Sequence, residues 1–241
     1  MEGLLKLYLG EERGEELLKR IRDTGLFPHL RSGYDVRLVI DLAENNAEDE
    51  KLPTDRLELY RAAVAAAGPE NDEGREQLEA AAWNLLTERG PSEDKRRMIP
   101  DKDAPGALLA QLEAVRERSN SKIRLIRLSP PGYEFVHDQM NSYLAACWFV
   151  GRPTVSVMKD LLSSANVWQE GLETQRTLWN FVAEMLSETT LQDLWVFAGD
   201  DDRRAILAVA LAKQAERNGW TLTREPSKTR LHFDASARLT S

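Results

Sequence analysis

Between Ile123 and Val136 the chain changes its period, and that change restricts the folds open to it. Ile123 to Leu128 is rich in Ile and Leu with Arg interleaved, Pro130-Pro131-Gly132 is a turn signal, and Tyr133 to Val136 alternates at about two residues. A helical pattern follows at once, with Met140, Tyr143, Leu144 and Cys147 on one side. The stretch reads as a single β-hairpin running straight into a helix, set in a chain that is otherwise helical.

The helical patterns precede and follow it. Leu17, Leu18 and Ile21 mark a helix ending near Gly25 and Pro28, and Val36, Val39, Ile40 and Ala43 mark a second. Pro53-Thr54 opens another, with Thr54 as the expected N-cap and Leu57, Tyr60 and Val64 as its stripe. Asp72 opens a helix carrying Leu78, Ala82, Leu85 and Leu86. Residues 90–103 read as a loop, and Asp103 with Pro105 starts a helix facing inward with Leu108, Leu112 and Val115. Three helices, a hairpin and a helix in that order predict a winged-helix domain over residues 51–150, after a small helical domain over 1–50. Leu178, Phe181, Val182, Met185 and Leu186, then Ile206, Leu207, Ala210 and Leu211, predict a second helical domain over 151–226. Residues 227–241 read as a tail or linker. The expected class is mainly α.

Composition narrows the function classes. The formal net charge of −8 argues against broad affinity for nucleic acid or anionic membranes. Cys147 is the one cysteine, so neither an internal disulfide nor a CxxC metal site is expected, and a reducing cytoplasm fits. The N-terminus lacks the pattern of a signal peptide, and the longest apolar stretch, Tyr143 to Val150, is too short for a bilayer. No HExxH pairing joins His29, His137 and His232, and no GxSxG elbow is present. Asp200-Asp201-Asp202 lacks the spacing of a calcium loop and reads as a helix start. No catalytic or metal-binding residue is expected. Trp168, Trp179 and Trp195 fall in helical stretches and read as packing residues.

One candidate binding residue stands out. His137 lies where a strand becomes a helix, among the unpaired N–H groups that attract anions. A histidine there can donate to a phosphate, or can fix the turn by bonding the backbone. Lys122, Arg124 and Arg127, with Arg116 and Arg118 just before, offer a DNA-binding wing as an alternative. Glu113 and Glu117 interrupt that patch. A free-standing helical interaction scaffold is the other alternative.

The segment Tyr133-Glu-Phe-Val-His137-Asp-Gln-Met-Asn-Ser-Tyr143-Leu-Ala-Ala146 resembles the end of the winged helix in NACHT and related STAND signalling NTPases. Upstream, Tyr34-Asp-Val-Arg-Leu-Val-Ile-Asp-Leu42, Leu52-Pro53 and Arg56-Leu-Glu-Leu-Tyr60 resemble that family's small helical domain running into its winged helix. The resemblance covers roughly residues 10 to 150. It implies a regulatory module that folds over a nucleotide held by a P-loop domain, on the same or a separate chain, with oligomerisation on activation. It also implies that His137 touches a phosphate of ADP or ATP. The family's proline near the adenine has no counterpart here, since Gly33 stands before Tyr34. No GxxxxGK[ST] motif is present, so no cofactor and no catalysis are expected of this chain alone.

Overall fold

Side-chain caps fix where several of the helices begin, while the first two start at Met1 and Gly10 without one. A computed structural model of the chain describes residues 1–45, 51–69, 71–87, 98–100, 123–129, 132–152, 154, 156–159, 173–187, 189–190, 193–194, 221–224 and 231–234. The protein is mainly α-helical. Its elements are α1 (Glu2–Leu9), α2 (Glu11–Asp23), a 3-10 turn (Phe27–His29), α3 (Gly33–Asn45), α4 (Arg56–Ala67), α5 (Asp72–Thr87), β1 (Met98–Pro100), β2 (Ile126–Ser129), β3 (Gly132–Phe135), α6 (Asp138–Val150), α7 (Glu173–Met185), β4 (Thr221–Arg224) and β5 (Leu231–Asp234).

α4 illustrates the capping. Asp55, one residue beyond the expected Thr54, is its N-cap, and its carboxylate accepts from Glu58 N at 2.9 Å. Thr54 is otherwise engaged, since its N–H and hydroxyl both donate to Glu58 Oε2, at 2.8 and 2.7 Å. This is a capping box shifted by one residue. The buried stripe shifts as well. Leu59, Tyr60, Ala63, Val64 and Ala67 face inward, and the expected Leu57 is half-buried.

The expected hairpin forms, with Ile126 opposite Phe135 and Leu128 opposite Tyr133. β3 also pairs on its other edge with β1, in the order β1-β3-β2, so residues 98–100 are strand where a loop was expected. Three residues carry too little alternation to reveal a strand. Ile99, Ile126, Tyr133 and Phe135 are buried, while Arg127 and Glu134 pair across the other face at 2.9 Å. A second antiparallel pair, β4 with β5, puts Thr221 opposite Asp234. The sequence reading had one hairpin and a tail over this region. Its two four-residue segments are too short for periodicity to separate from a polar linker. The helix expected from Asp103, the pattern at Ile206, the Asp200–Asp202 run, Trp168, Trp195, Arg116, Arg118 and Lys122 lie outside the described residues.

The chain divides into two compact units. One comprises residues 1–78 with 98–140, the other residues 79–97 with 141–241. In the first, α1 and α2 cross closely at Gly14. A Cβ there would come within 3.0 Å of the α1 backbone at Leu5 and Lys6. Gly10 joins the two helices at φ 82°, a conformation that favours glycine. Leu5, Leu17, Ile21, Val39 and Leu59 are among the apolar residues buried in this unit.

The second unit is aromatic. Trp83 stacks against Trp148 and Phe149, with centroids 5.2 and 5.3 Å apart, and Phe149 meets Trp179 edge-on at 5.8 Å. Tyr143 meets Phe181 edge-on at 5.4 Å. Offset and edge-to-face pairs at these distances add to the stabilisation from burial alone. Among the described residues, no helix is long and apolar enough to cross a membrane, and no group of His, Cys, Asp or Glu is placed to hold a metal ion.

Candidate functional site

His137 sits in the turn between β3 and α6. Its Nδ1 accepts from Gln139 N at 3.2 Å, and its carbonyl accepts from Met140 N at 3.0 Å. The ring thus serves as a helix cap, a role usually taken by Ser, Asp or Asn. With Nδ1 accepting, the neutral imidazole carries its proton on Nε2. The ring lies flat on Tyr34 from the start of α3, with centroids 4.0 Å apart and planes 7° from parallel. The Tyr34 hydroxyl is enclosed and has no hydrogen-bond partner among the described residues. Burial, reinforced by the charges of Asp41 and Asp35, pushes this phenol well above its ordinary pKa.

Beside the stack lies a polar cluster that the sequence reading did not identify. Asp35 is 0% exposed and Arg56 is 3% exposed. Asp35 Oδ2 accepts from Arg31 N and Ser32 N, each at 2.9 Å, and Ser32 Oγ accepts in return from Asp35 N at 3.1 Å. This reciprocal cap fixes the first turn of α3. Asp35 Oδ1 faces α4, where Tyr60 Oη donates at 2.9 Å and Arg56 Nε approaches to 3.5 Å. Arg56 also lies over the Tyr60 ring, 5.3 Å from its centroid. Tyr60 Oη is 2.8 Å from Gln139 Oε1, to which Ser32 Oγ donates at 2.9 Å. Burial and the Asp35 charge push the Tyr60 phenol far above its usual range, against a smaller opposing effect of Arg56. Both tyrosines therefore keep their protons across the physiological range.

A buried charge needs a partner and satisfied lone pairs. Asp35 has both: two backbone donors just before its own helix and two side-chain donors on another. The cluster gathers Ser32 and Asp35 from α3, Arg56 and Tyr60 from α4, and Gln139 from α6. One signal was present in the sequence: Arg56 stands four residues before Tyr60 on the stripe of α4, and Ser32 stands three before Asp35. A charge on an apolar stripe marks a buried pair only once its partner is known, and that partner lies 21 residues away in the chain.

The other candidates are dispersed. His29 lies in the 3-10 turn and His232 in β5. Arg124 is exposed, and Arg127 is bound to Glu134 on the neighbouring strand. Cys147, placed by the sequence on one side of this helix with Met140, Tyr143 and Leu144, is half-buried on α6. Comparisons of the chain with family models and with curated proteins return no match.

Proposed function

We propose that this chain is the regulatory helical and winged-helix portion of a STAND-type signalling NTPase, coupling a nucleotide held by a P-loop domain to the arrangement of its own helices. The observation that carries the reading is the stack of Tyr34 on His137. The resemblance assigns His137, at the end of the winged helix, to a phosphate of the nucleotide, and Tyr34 follows Gly33, which stands where the family's small helical domain has its proline near the adenine. The stack brings the residue beside that position into ring contact with His137. The His137 turn lies at the N-terminal end of α6, where the Gln139 and Met140 N–H groups bond His137 itself and the helix dipole still favours an anion. The nitrogen that carries the proton, Nε2, is the one suited to donate to a phosphate.

On this reading the chain performs no chemistry of its own and works through contacts between domains. A second reading, a free-standing interaction module, draws on α1. Leu7 is 77% exposed and Tyr8 55% exposed, and Leu4 shares their face. The wing is a weaker candidate for DNA, because Glu134 answers the charge of Arg127.

The test is an NMR titration of the chain with ADP, with and without magnesium, following the His137 and Tyr34 ring signals. Without a P-loop, affinity on the order of 1 mM is the expected strength, worth about 4 kcal/mol. Saturable shifts centred on these two rings, lost in His137→Ala, support the reading. Absence of shifts at saturating ADP moves the assignment to the interaction module.

A further inference from the structure

The polar cluster closes on itself. Ser32 bonds Asp35 in both directions, Asp35 meets Tyr60 Oη at 2.9 Å, Tyr60 meets Gln139 Oε1 at 2.8 Å, and Gln139 returns to Ser32 at 2.9 Å. Four side chains from three helices form one ring, and two of them stand in the first turns of α3 and α6. We infer that this ring is a coupling device: the starts of α3 and α6 open and close as one unit, with Tyr60 as the positioning residue that links them.

The chemistry of the donors supports coupling over mere proximity. The Tyr60 hydroxyl has one proton and two oxygen neighbours, and the carboxylate is the stronger acceptor. A half-turn about the last Gln139 torsion presents its NH2 group to the phenol oxygen and to Ser32 Oγ together, and so reverses the bond from Ser32. Each bond therefore fixes the donor direction of the next, and loss of one leaves its neighbours without defined partners. At the buried Asp35 and Tyr60 that loss is expensive, because an enclosed polar group has no ready substitute for its missing partner, while Ser32 and Gln139 are half-buried. Arg56 holds the Asp35 corner from outside the ring, and the His137 cap holds the start of α6 beside Gln139. Opening at either helix start must break the same set of bonds. The inference requires no nucleotide and does not rest on the proposed function.

Backbone amide hydrogen exchange on the full chain tests it. The reporters on α3 are the amides of Arg31, Ser32 and Asp35, each bonded to a side chain of the ring. Those on α6 are the amides of Gln139 and Met140. Ser32→Ala, altered only on the α3 side, is expected to speed exchange at Gln139 and Met140 about tenfold, as a loss of ~1.4 kcal/mol would. Gln139→Ala is expected to do the same at Arg31 and Ser32, because coupling between two sites is reciprocal. Tyr60→Phe keeps the ring packing and removes one hydroxyl. It is expected to speed exchange at both ends while Ala63 to Ala67, later in its own helix, keep their rates. Faster exchange confined to the mutated side overturns the coupling. Uniform acceleration across every helix also overturns it, since that is the mark of a purely global loss of stability. If Ser32→Ala fails to fold, the Tyr60→Phe and Gln139→Ala profiles decide alone.

Discussion

The two units of this protein are held together by different physics. In the first, a carboxylate, a guanidinium, two hydroxyls and an amide are enclosed among three helices, each with a partner of defined direction. In the second, Trp83, Trp148, Phe149 and Trp179 pack face to face and edge to face. Aromatic burial is large and tolerant of direction, so it stabilises whichever arrangement fills the space. A buried polar cluster adds less net stability, because each group has given up water, yet it admits few alternative arrangements. The comparison assigns bulk stability to the aromatic unit and geometric definition to the polar one.

Two truncations probe this contrast at its largest. Trp179→Ala is expected to cost about 3–5 kcal/mol, through lost burial and the cavity left behind. Arg56→Met is expected to cost a similar amount, about 3–5 kcal/mol, for another reason: it fills the space but leaves Asp35 buried without its cation. Urea unfolding followed by far-ultraviolet circular dichroism measures both. The units then part company on repair. Leu144→Met, which keeps volume in the aromatic unit, should cost less than about 1.5 kcal/mol. In the polar unit, keeping volume does not help, and stability should return only when Asp35→Asn is added to Arg56→Met. An asparagine still accepts from the α3 backbone, carries no charge, and can donate to Tyr60. If Arg56→Met alone is as mild as Leu144→Met, the distinction between the units is lost.

A smaller effect is expected at His137. Removal of its cap by His137→Ala should cost about 0.5–2 kcal/mol, and His137→Asn should recover most of it, because asparagine caps well. Equal losses in the two variants would mean that the stack on Tyr34, and not the bond to Gln139 N, is what the ring contributes.

The smallest effect lies at the start of α4 and depends on pH. The bonds from Thr54, backbone N–H first and hydroxyl second, hold the exposed Glu58 carboxyl below its ordinary value of 4.5. A carboxyl with a depressed pKa in the folded state stabilises at pH above its unfolded value. That contribution disappears as pH falls through the folded one. The stability gap between the wild type and Glu58→Gln should therefore be widest near neutrality and should close below pH 4.5. A gap that stays constant with pH would assign the effect to shape and not to charge.

Much of the architecture was legible in the sequence, because amphipathic periodicity and turn residues are local signals. The stripes at Leu17 and Ile21, at Leu78 and Leu85, and at Phe181 and Val182 are all buried as expected, and the strands expected before and after the Pro-Pro-Gly signal pair antiparallel. β1 was missed because three residues give no period, and β4 and β5 because two short runs in a polar segment read as linker. The site was legible only at His137, where a strand runs into a helix. Tyr34 was visible as part of a motif, but its ring contact with His137 joins residues more than a hundred positions apart. Asp35, Arg56, Tyr60 and Gln139 carry their meaning only as a set. Each alone looks like an ordinary residue of an amphipathic helix.

The uneven placement of aromatic residues has an optical consequence. All six tryptophans, at 83, 148, 168, 179, 195 and 220, fall outside the sequence stretches 1–78 and 98–140, which carry Tyr8, Tyr34, Tyr60 and Tyr133. Indole emission excited at long wavelength therefore follows the tryptophan-bearing stretches and is blind to residues 1–78 and 98–140, which carry tyrosines and phenylalanines but no tryptophan. A single, clean emission transition would say nothing about whether the Asp35–Arg56 region had already come apart. Emission and circular dichroism recorded on the same sample would coincide if the units unfold together and would separate if they do not. The sequence thus supplies its own two-channel probe, with no label added.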